Sequence, residues 1–367
     1  MRNINKLIIV QHRFSSTTPK TQRMLAAAKE YVRFGVNVVF VISTKDNSLD
    51  DIDGVRFIRI DENSRKMLRS YKQFVAAIKK EYDEESAILF YEIPLYAILF
   101  SKNKYRVFSE VTEIPFYGNK LSISQRIILN IRYFVARNFT GLFVISKALK
   151  HYYTEKGVTR IEVINMFVDM SRFDGLSKTN VEKYIAYCGT ISLYKDGVDD
   201  LIRSYAIFHK LYPEYKLYII GPFENETVKE VLERQVNDLQ LSPHVVFTGP
   251  IQSNEIPQKL LDARILALAR PDNKQAQYGF PTKLGEYLAT GNPVVVTKVG
   301  EIPMYIEDKI NGILAEPNNP KDFAEKLIYA AEHPKDATAI GQKGKELTNS
   351  EFSSKVQTKK ALNFITK

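Results

Sequence analysis

The sequence has one cysteine, Cys188, and five histidines scattered among 367 residues. A single cysteine excludes an internal disulfide and any metal site built from several cysteine ligands. The scattered histidines form no cluster that could hold a metal. These absences favour a reducing, cytoplasmic setting.

Long hydrophobic runs are also absent. No apolar stretch approaches about 18 residues, the length at which a membrane-spanning helix is expected. The amino-terminal segment MRNINKLIIVQHRF has a basic start, but its short apolar run is not long enough for a signal peptide. We therefore expect KLIIV to form a first strand, in a chain whose hydrophobic share of 44% suits sizeable cores.

Acidic residues are scarce in one part of the chain. Residues 1–174 carry 28 basic and 18 acidic residues and residues 175–367 carry 24 of each, so the first half holds the whole net charge of +10. Within 101–150 there are nine basic residues and two acids, Glu110 and Glu113. Such a surplus is either a solvated face or a surface for an anionic partner, namely phosphate, membrane or nucleic acid.

Short apolar runs alternate with amphipathic helical stretches along the whole chain. This alternation is typical of a parallel sheet covered by helices on both faces, and two series of about six strands predict two Rossmann-like domains. A polar, turn-rich stretch at 165–180 separates the series, and residues 320–365 predict helices only. The expected strands lie at 7–11, 37–43, 54–60, 87–92, 105–111, 141–146 and 160–165, then at 183–189, 216–221, 244–249, 263–269, 292–297 and 312–316.

Three glycines, Gly189, Gly221 and Gly249, directly follow predicted strands of the second series. Each of them alone is most simply explained as a tight turn. Ligands of open parallel sheets bind beyond the carboxyl ends of the strands. The three glycines together therefore predict a crowded crevice in which the backbone approaches a ligand.

The stretch YGFPTKLGEYLATGNPVV (278–295) predicts a short helix with Pro281 at its first position and no capping side chain. The backbone N–H groups of Thr282 and Lys283 then stand free at the positive end of a helix, where anions bind readily. Lys283 adds a charge, and Glu286, one turn later, can accept two hydrogen bonds from sugar hydroxyls. The alternative is an ordinary amphipathic helix with a surface Lys–Glu pair.

A second candidate for anion binding is CGTISLYKDGVDDLI (188–202). Here a strand ends at Gly189, a polar loop follows, and a helix begins near Gly197, with Lys195 close to its start. The spacing of a phosphate-binding P-loop is absent.

These motifs occur in the order and spacing of a known family. YCGTISLYKDGVDDLI, LYIIGP, VVFTGPI and YGFPTKLGEYLATGNPVVVTKVGEIPMYI resemble the nucleotide-sugar half of the retaining GT-B glycosyltransferases of family four. Members of that family are hexosyltransferases of surface polysaccharide, capsule or lipopolysaccharide, and of glycolipid synthesis. LFVISKALKHYY and VINMFVDMSRF resemble the junction between its two halves.

The resemblance implies an α/β protein of GT-B architecture, with two Rossmann-like domains whose parallel sheets face each other across a cleft. It implies an acceptor domain at 1–170 and a nucleotide-sugar domain at 171–350. Residues 351–367 are expected to form a C-terminal helix that can return to the first domain.

The resemblance also implies roles for individual residues of the second half. Glu286 matches the glutamate that holds the ribose hydroxyls of the donor. Tyr278 stands where the family has another glutamate, which contacts the donor hexose. Lys195 matches the phosphate-binding lysine, and Thr190 replaces an arginine that usually follows the glycine at the strand end.

We expect Lys283, or else Arg270 or Lys274, to supply the charge that this arginine would bring. Gly249, Pro250 and Ile251 match the loop that lines the nucleotide base. The expected donor-binding set is Glu286, Lys283, Thr282, Gly279, Phe280, Tyr278, Thr190, Gly189, Arg270, Gly249 and Ile251.

The resemblance is looser in the first half. The family often has two glycines after its first strand, where this chain has the serines and threonine of 15–17 as candidates for a donor-facing loop. It commonly has a histidine after its fifth strand, where this chain has Thr112 between Glu110 and Glu113. We expect Glu113 nearest the reacting sugars, in a catalytic set with Thr112 and Lys195. The alternative is that Glu113 caps the following loop.

The implied reaction is retaining transfer of a hexose from a nucleoside-diphosphate sugar to a hydroxyl of a lipid-linked or polysaccharide acceptor. No metal or other cofactor is expected, because a helix N-terminus and lysines can neutralise the leaving diphosphate. The acids of DDIDGV, Asp51 and Asp53, are interpreted as a solvated turn.

Two other functions stay open. One is a nucleotide-sugar 2-epimerase on the same fold. The other is a non-catalytic partner with a decayed donor site, which Tyr278 and Thr190 suggest. Nucleic-acid binding is not expected, because the basic residues lie in no recognised nucleic-acid module.

The segment GNKLSISQRIILNIRYFVARNF (118–139) interleaves Lys120, Arg126, Arg132 and Arg137 with large apolar residues. Its arginines do not fall on one clean helical stripe. It is therefore either a packed surface helix or a basic, aromatic patch that rests on an anionic membrane. The second interpretation predicts a peripheral protein on the inner face of the cell membrane, which brings the acceptor's lipid anchor to the active site.

Overall fold

The predicted alternation of strands and helices is confirmed in the computed structural model of the protein, which describes residues 4–14, 18–44, 52–60, 67–101, 104–115, 121–179 and 182–367. The chain forms two compact units. The first unit comprises Met1–Met166 and Ser354–Lys367, and the second comprises Phe167–Ser353. The chain therefore leaves the first unit once and returns to it with its last helix.

The first unit is built on a parallel seven-stranded sheet in the order β3-β2-β1-β4-β5-β6-β7. Its strands are β1 Lys6–Gln11, β2 Asn37–Ser43, β3 Val55–Ile60, β4 Ser86–Tyr91, β5 Val107–Val111, β6 Gly141–Val144 and β7 Ile161–Val163. Its helices are α1 Pro19–Arg33, α2 Met67–Glu81, α3 Ile123–Arg137, α4 Lys147–Glu155, the C-terminal α13 Ser354–Thr366 and the 3₁₀ helix Leu95–Phe100.

The central strands of this sheet are buried on both faces, as their continuous apolar sequences predict. Every residue of β4 is buried, and so is every residue of β1 except Lys6. Helix α1 packs against α13, and α3 lies beside the 3₁₀ helix Leu95–Phe100. Strands β1 and β4 are neighbours from which the chain proceeds in opposite directions, so their carboxyl ends form a topological switch point.

The second unit has a parallel six-stranded sheet in the order β10-β9-β8-β11-β12-β13. Its strands are β8 Tyr184–Cys188, β9 Lys216–Ile220, β10 Val245–Gly249, β11 Ile265–Leu268, β12 Val294–Thr297 and β13 Ile313–Ala315. Its α-helices are α5 Leu193–Asp196, α6 Val198–His209, α7 Glu226–Asp238, α8 Ile256–Asp262, α9 Lys274–Tyr278, α10 Lys283–Ala289, α11 Pro320–Glu332 and α12 Pro334–Glu346, and its 3₁₀ helices are Met170–Phe173, Ile302–Met304 and Leu347–Asn349.

The switch point of the second sheet lies between β8 and β11. Helix α6 begins after Gly197, as predicted, but the preceding loop contains the additional short helix α5, capped by the side chain of Ser192. This turn fixes the backbone around Lys195 and Asp196. In the part of the chain that the structure describes, no helix is both long and apolar enough to cross a bilayer.

Candidate functional site

The three strand-end glycines of the second unit all have positive φ angles, but for different reasons. A side chain at Gly221 would collide with the carbonyl oxygen of Gly189, and one at Gly189 would come within 2.5 Å of Lys283 Nζ. Nothing lies within 4 Å of a side chain placed at Gly249. The crowding expected around a ligand is therefore produced by the protein itself at Gly189 and Gly221, while Gly249 faces open space.

Helix α10 starts at Lys283, two residues later than predicted, and no side chain caps its N-terminus at Thr282. Its buried residues Leu284, Tyr287 and Leu288 dock the helix on the sheet. Tyr287 Oη accepts a hydrogen bond of 2.7 Å from the backbone N–H of Cys188, at the end of β8. The helix is thereby fixed to the strand end that leads into Gly189.

Lys283 lies in a buried ion pair with Asp196, a partner that the sequence did not reveal. Only 10% of the lysine side chain and 1% of the aspartate side chain are exposed. Tyr187 Oη lies 2.8 Å from Asp196 Oδ2 and accepts a hydrogen bond of 3.0 Å from Lys283 Nζ. Burial opposes ionisation of Asp196, but the charges of Lys283 and Arg270 overcome it and lower the pKa of its carboxyl group. The ammonium group is therefore held beside Gly189.

Two further cations act on this pair. Arg270 is 2% exposed, and Lys195 is half-buried at α5. Burial lowers the pKa of Lys283, and the positive charges of Lys195 and Arg270 lower it further. Three cations and one carboxylate thus lie together beyond the carboxyl end of β8. This net positive charge suits an anionic group.

Glu286 lies in the first turn of α10 and forms an ion pair with Arg172 of the 3₁₀ helix Met170–Phe173. The other terminal nitrogen of Arg172 donates a hydrogen bond of 2.8 Å to the carbonyl oxygen of Ser253. Neither side chain of the ion pair is more than 16% exposed. Arg172 was not among the predicted site residues, because its distance of 114 positions from Glu286 leaves no pattern in the sequence.

Phe280 belongs to the expected donor-binding set, and its ring packs against other aromatic side chains of the second unit. It is 7% exposed, and its ring lies 5.5 Å from that of Tyr305 and 5.6 Å from that of Phe352. Gly279 is buried beside it, and Tyr278 ends α9 half-buried. Phe280 therefore anchors the segment before α10 in an aromatic cluster.

The remaining predicted donor residues lie on loops of the second unit. Thr190 is exposed, and its carbonyl oxygen lies 2.8 Å from Tyr187 Oη. Ile251 is half-buried, two residues after the end of β10, and Lys274 is exposed at the start of α9. Burial raises the pKa of Cys188 to about 12, and the charge of Glu286 contributes to the rise, so this thiol is not a nucleophile near neutral pH.

The predicted catalytic residues Thr112 and Glu113 belong to the first unit. Both are half-buried and directly follow β5 at its carboxyl end. The neighbouring Glu110 is buried in an ion pair with Arg23, which also donates to the carbonyl oxygen of Asn165 at 3.2 Å. The proposed loop at 15–17 lies outside the described residues.

Within the described ranges, no group of three or more His, Cys, Asp or Glu side chains has an arrangement that could hold a metal ion. Asp53 is exposed in the turn before β3. Asp51 lies outside the described residues.

Residues 172–347, 48% of the chain, match the family model of the glycosyl transferases group 1. The uncharacterized glycosyltransferase MJ1178 of Methanocaldococcus jannaschii is 29% identical over 155 residues, which are 41% of this chain and 39% of the relative. The D-inositol 3-phosphate glycosyltransferase of Corynebacterium kroppenstedtii is 28% identical over 162 residues, 43% of this chain and 35% of the relative. The chain therefore spans well under half of the length of these curated relatives.

Solved structures resemble the whole chain. Anabaena Alr3699/HepE in complex with UDP matches with a TM-score of 0.72 at 16% identity. The match covers 99% of this chain and 100% of the HepE chain. WaaG, a glycosyltransferase involved in lipopolysaccharide biosynthesis, has a TM-score of 0.73 at 13% identity and covers 98% of this chain and 99% of its own. Identities this low establish the fold alone. The chain has the predicted GT-B fold, and the segment that carries its candidate site matches the glycosyl transferases group 1.

Proposed function

We propose that the protein is a glycosyltransferase that moves a hexose from a nucleoside-diphosphate sugar to an acceptor hydroxyl. The observation that carries the proposal is the cluster of Lys195, Arg270, Lys283 and Glu286 around the carboxyl end of β8. The three cations can bind the charged oxygens of a diphosphate. The carboxylate can accept hydrogen bonds from the hydroxyls of a ribose. The match of 172–347 to the glycosyl transferases group 1 supports the same reaction.

In the proposed reaction the bond between the anomeric carbon and the diphosphate oxygen breaks, and the diphosphate leaves with the electron pair. The acceptor oxygen forms the new bond, and its proton passes to an oxygen of the leaving diphosphate. Lys195, Arg270 and Lys283 stabilise the charge that grows on the leaving diphosphate. Because these charges are supplied by the protein, we propose that the reaction needs no metal. Retention of configuration is proposed from the family resemblance.

The departures at Thr190 and Tyr278 are compatible with this activity. The charge of an arginine at position 190 is replaced in our proposal by Lys283, whose Nζ lies beside Gly189. Tyr278 then alters the contact to the donor hexose and not to the nucleotide. No observation favours the 2-epimerase, and the paired, ordered charges argue against a decayed site.

We further propose that the acceptor is lipid-linked or a polysaccharide intermediate, and that the first unit rests on an anionic membrane at its cytoplasmic face. Helix α3 supports this, because Ile123, Ile127 and Phe134 are 80%, 55% and 52% exposed. At about 100° per residue these three fall on one stripe roughly 40° wide. The neighbouring 3₁₀ helix exposes Leu99 to 50%. Large side chains exposed together mark an interaction surface.

The charge around this stripe favours lipid headgroups. Arg126 and Arg137 are both exposed and lie on an adjoining stripe, whereas Arg132 is half-buried. The sequence from 114 to 154 contains no aspartate or glutamate. A second copy of the chain would bring two cationic faces together, so an anionic bilayer is the better occupant.

Melting temperatures with UDP, GDP, ADP and their hexose conjugates test the proposed function. A ligand that binds the native state raises the melting temperature, and the rise grows with the logarithm of ligand concentration divided by Kd. We expect one nucleotide and its sugar conjugate to stabilise the protein, and the conjugate to release free nucleotide when a suitable acceptor is added. If none of the nucleotides stabilises the protein, the proposal is wrong.

A further inference from the structure

Arg172 lies in the VDMSRF stretch near the start of the second unit, and nothing in the proposed reaction requires it. Its side chain is 13% exposed. One terminal nitrogen donates to Glu286 Oε1, and the other donates to Ser253 O at 2.8 Å and lies 3.4 Å from Ser253 Oγ. A single side chain thus joins the 3₁₀ helix Met170–Phe173 to α10 and to the loop after β10.

These contacts restrict how Glu286 can be oriented. A carboxylate on a long side chain at a helix surface is otherwise free to rotate among several rotamers. The guanidinium is planar and its donors have fixed directions, so engaging Oε1 also directs Oε2. A lysine has one point charge and cannot hold both Glu286 and the Ser253 carbonyl in this way.

The second partner of Arg172, Ser253, lies in the loop expected to line the nucleotide base. Ser253 follows Ile251 by two residues and is part of that loop. Arg172 therefore fixes the position of a ribose-binding carboxylate relative to a base-binding loop. Both features are parts of the nucleotide site in the proposed function, on which this inference rests.

We propose that Arg172 is a positioning residue for nucleotide recognition. It holds Glu286 so that the remaining carboxylate oxygen accepts hydrogen bonds from the ribose, and it thereby sets the preference of the site for ribose over a sugar that lacks the hydroxyls. Arg172 itself makes no contact with the reacting atoms.

The test compares UDP with 2′,3′-dideoxyuridine diphosphate, and GDP with its dideoxy counterpart, by titration calorimetry. The wild type should prefer the ribose form of at least one base by about tenfold or more, as expected for hydrogen bonds to a charged group. Arg172→Ala should lose most of this preference, while its affinity for the dideoxy form stays within about twofold of the wild-type value. Arg172→Lys should lie between them.

The matched control is Arg203→Ala, which removes a half-exposed arginine paired with Asp199 and Asp200 on α6 of the same unit. It should leave both affinities unchanged. In a Glu286→Gln background, Arg172→Ala should cause no further loss of preference, because the group through which it acts has already been neutralised.

Each outcome has a distinct meaning. Equal weakening of the ribose and dideoxy forms in Arg172→Ala would show a merely structural role and overturn the inference. A wild type that binds both forms equally would overturn the inference with the ribose-binding role of Glu286. A wild type that binds no nucleotide would overturn the proposed function itself. If Arg172→Ala does not fold, Arg172→Lys decides: a reduced preference supports the inference and an intact one refutes it.

Discussion

Each of the two units has its own parallel sheet with a switch point near the centre. The side chains that follow the first strand of each sheet differ in chemistry. In the first unit, His12 follows β1, packs 4.1 Å from the Phe74 ring and lies 2.7 Å from Tyr96 Oη. Burial lowers its pKa to about 4, so it is neutral near pH 7. In the second unit, β8 is followed by Gly189, and a cluster of charged side chains lies beside this glycine.

The difference shows that the fold provides the location and the loops provide the chemistry. Glycine at 189 leaves room for the ammonium group of Lys283, so charge can reach the strand end. The aromatic environment at the end of β1 instead keeps the imidazole of His12 uncharged near pH 7. In the first unit, Arg126 and Arg137 are exposed on helix α3, where they can act on a large surface.

The largest expected effect concerns the buried ion pair of the second unit. Lys283→Ala should lower the free energy of unfolding by about 3–5 kcal/mol, because it leaves the carboxylate of Asp196 buried without its partner. Denaturant unfolding monitored by circular dichroism measures the change. Lys229→Ala, which removes an exposed pair with Glu226 on α7, should lower the free energy of unfolding far less, because water screens that pair. If Lys283→Ala lowered the free energy of unfolding as little as Lys229→Ala does, the Lys283–Asp196 pair would be shown not to be isolated from water.

The next effect concerns ligand binding by the second unit. Glu286→Ala should weaken nucleotide-sugar binding by about 1.5–3 kcal/mol, the range for hydrogen bonds to a charged group. Calorimetry on the folded variant measures it. Glu92→Ala is the control in the first unit, where an exposed carboxylate pairs with Lys20. Unchanged binding in Glu286→Ala would remove this residue from the donor site.

Single basic residues on the surface of the first unit are expected to have a smaller effect, which is on binding to anionic membranes. The protein should sediment with anionic vesicles at low salt and be released at high salt, because each basic residue contributes about 1 kcal/mol and salt screens it. Arg126→Glu with Arg137→Glu should abolish sedimentation and leave nucleotide binding intact. Arg203→Glu, on the second unit, should leave both unchanged.

Replacing Ile127 and Phe134 by serine should weaken vesicle binding without changing its salt dependence, since these side chains carry no charge. Equal sedimentation with neutral and anionic vesicles, or none with either, would contradict the membrane proposal. Binding to an acidic protein but not to vesicles would assign the surface to a different partner.

No effect at all is expected from removal of metal. Hexose transfer should continue in excess chelator, because lysine and arginine side chains supply the positive charge in the second unit. Loss of activity in chelator, restored by magnesium or manganese, would show that the charge cluster is not sufficient for the leaving diphosphate. The nucleotide-induced change in melting temperature should likewise be the same with and without chelator.

Sequence patterns were sufficient for the architecture. All thirteen expected strands are found among the described residues, and residues 320–365 contain helices only. Continuous apolar runs separated by amphipathic stretches predict this arrangement because each strand is buried on both faces. The uncapped start of α10 and the helix after Gly197 were also predicted, since both depend on residues close in sequence.

The sequence alone therefore determined the strand and helix pattern and the uneven charge, and it named candidate residues for a ligand site. Only the tertiary structure decided which partners those residues have and which of them are buried. It paired Lys283 with Asp196 and Glu286 with Arg172, and it placed Phe280 in the core. These outcomes depend on contacts between segments that are distant in the chain, whereas propensity and periodicity report only on neighbours within a few residues. A buried charge must find a partner, and the fold selects which one.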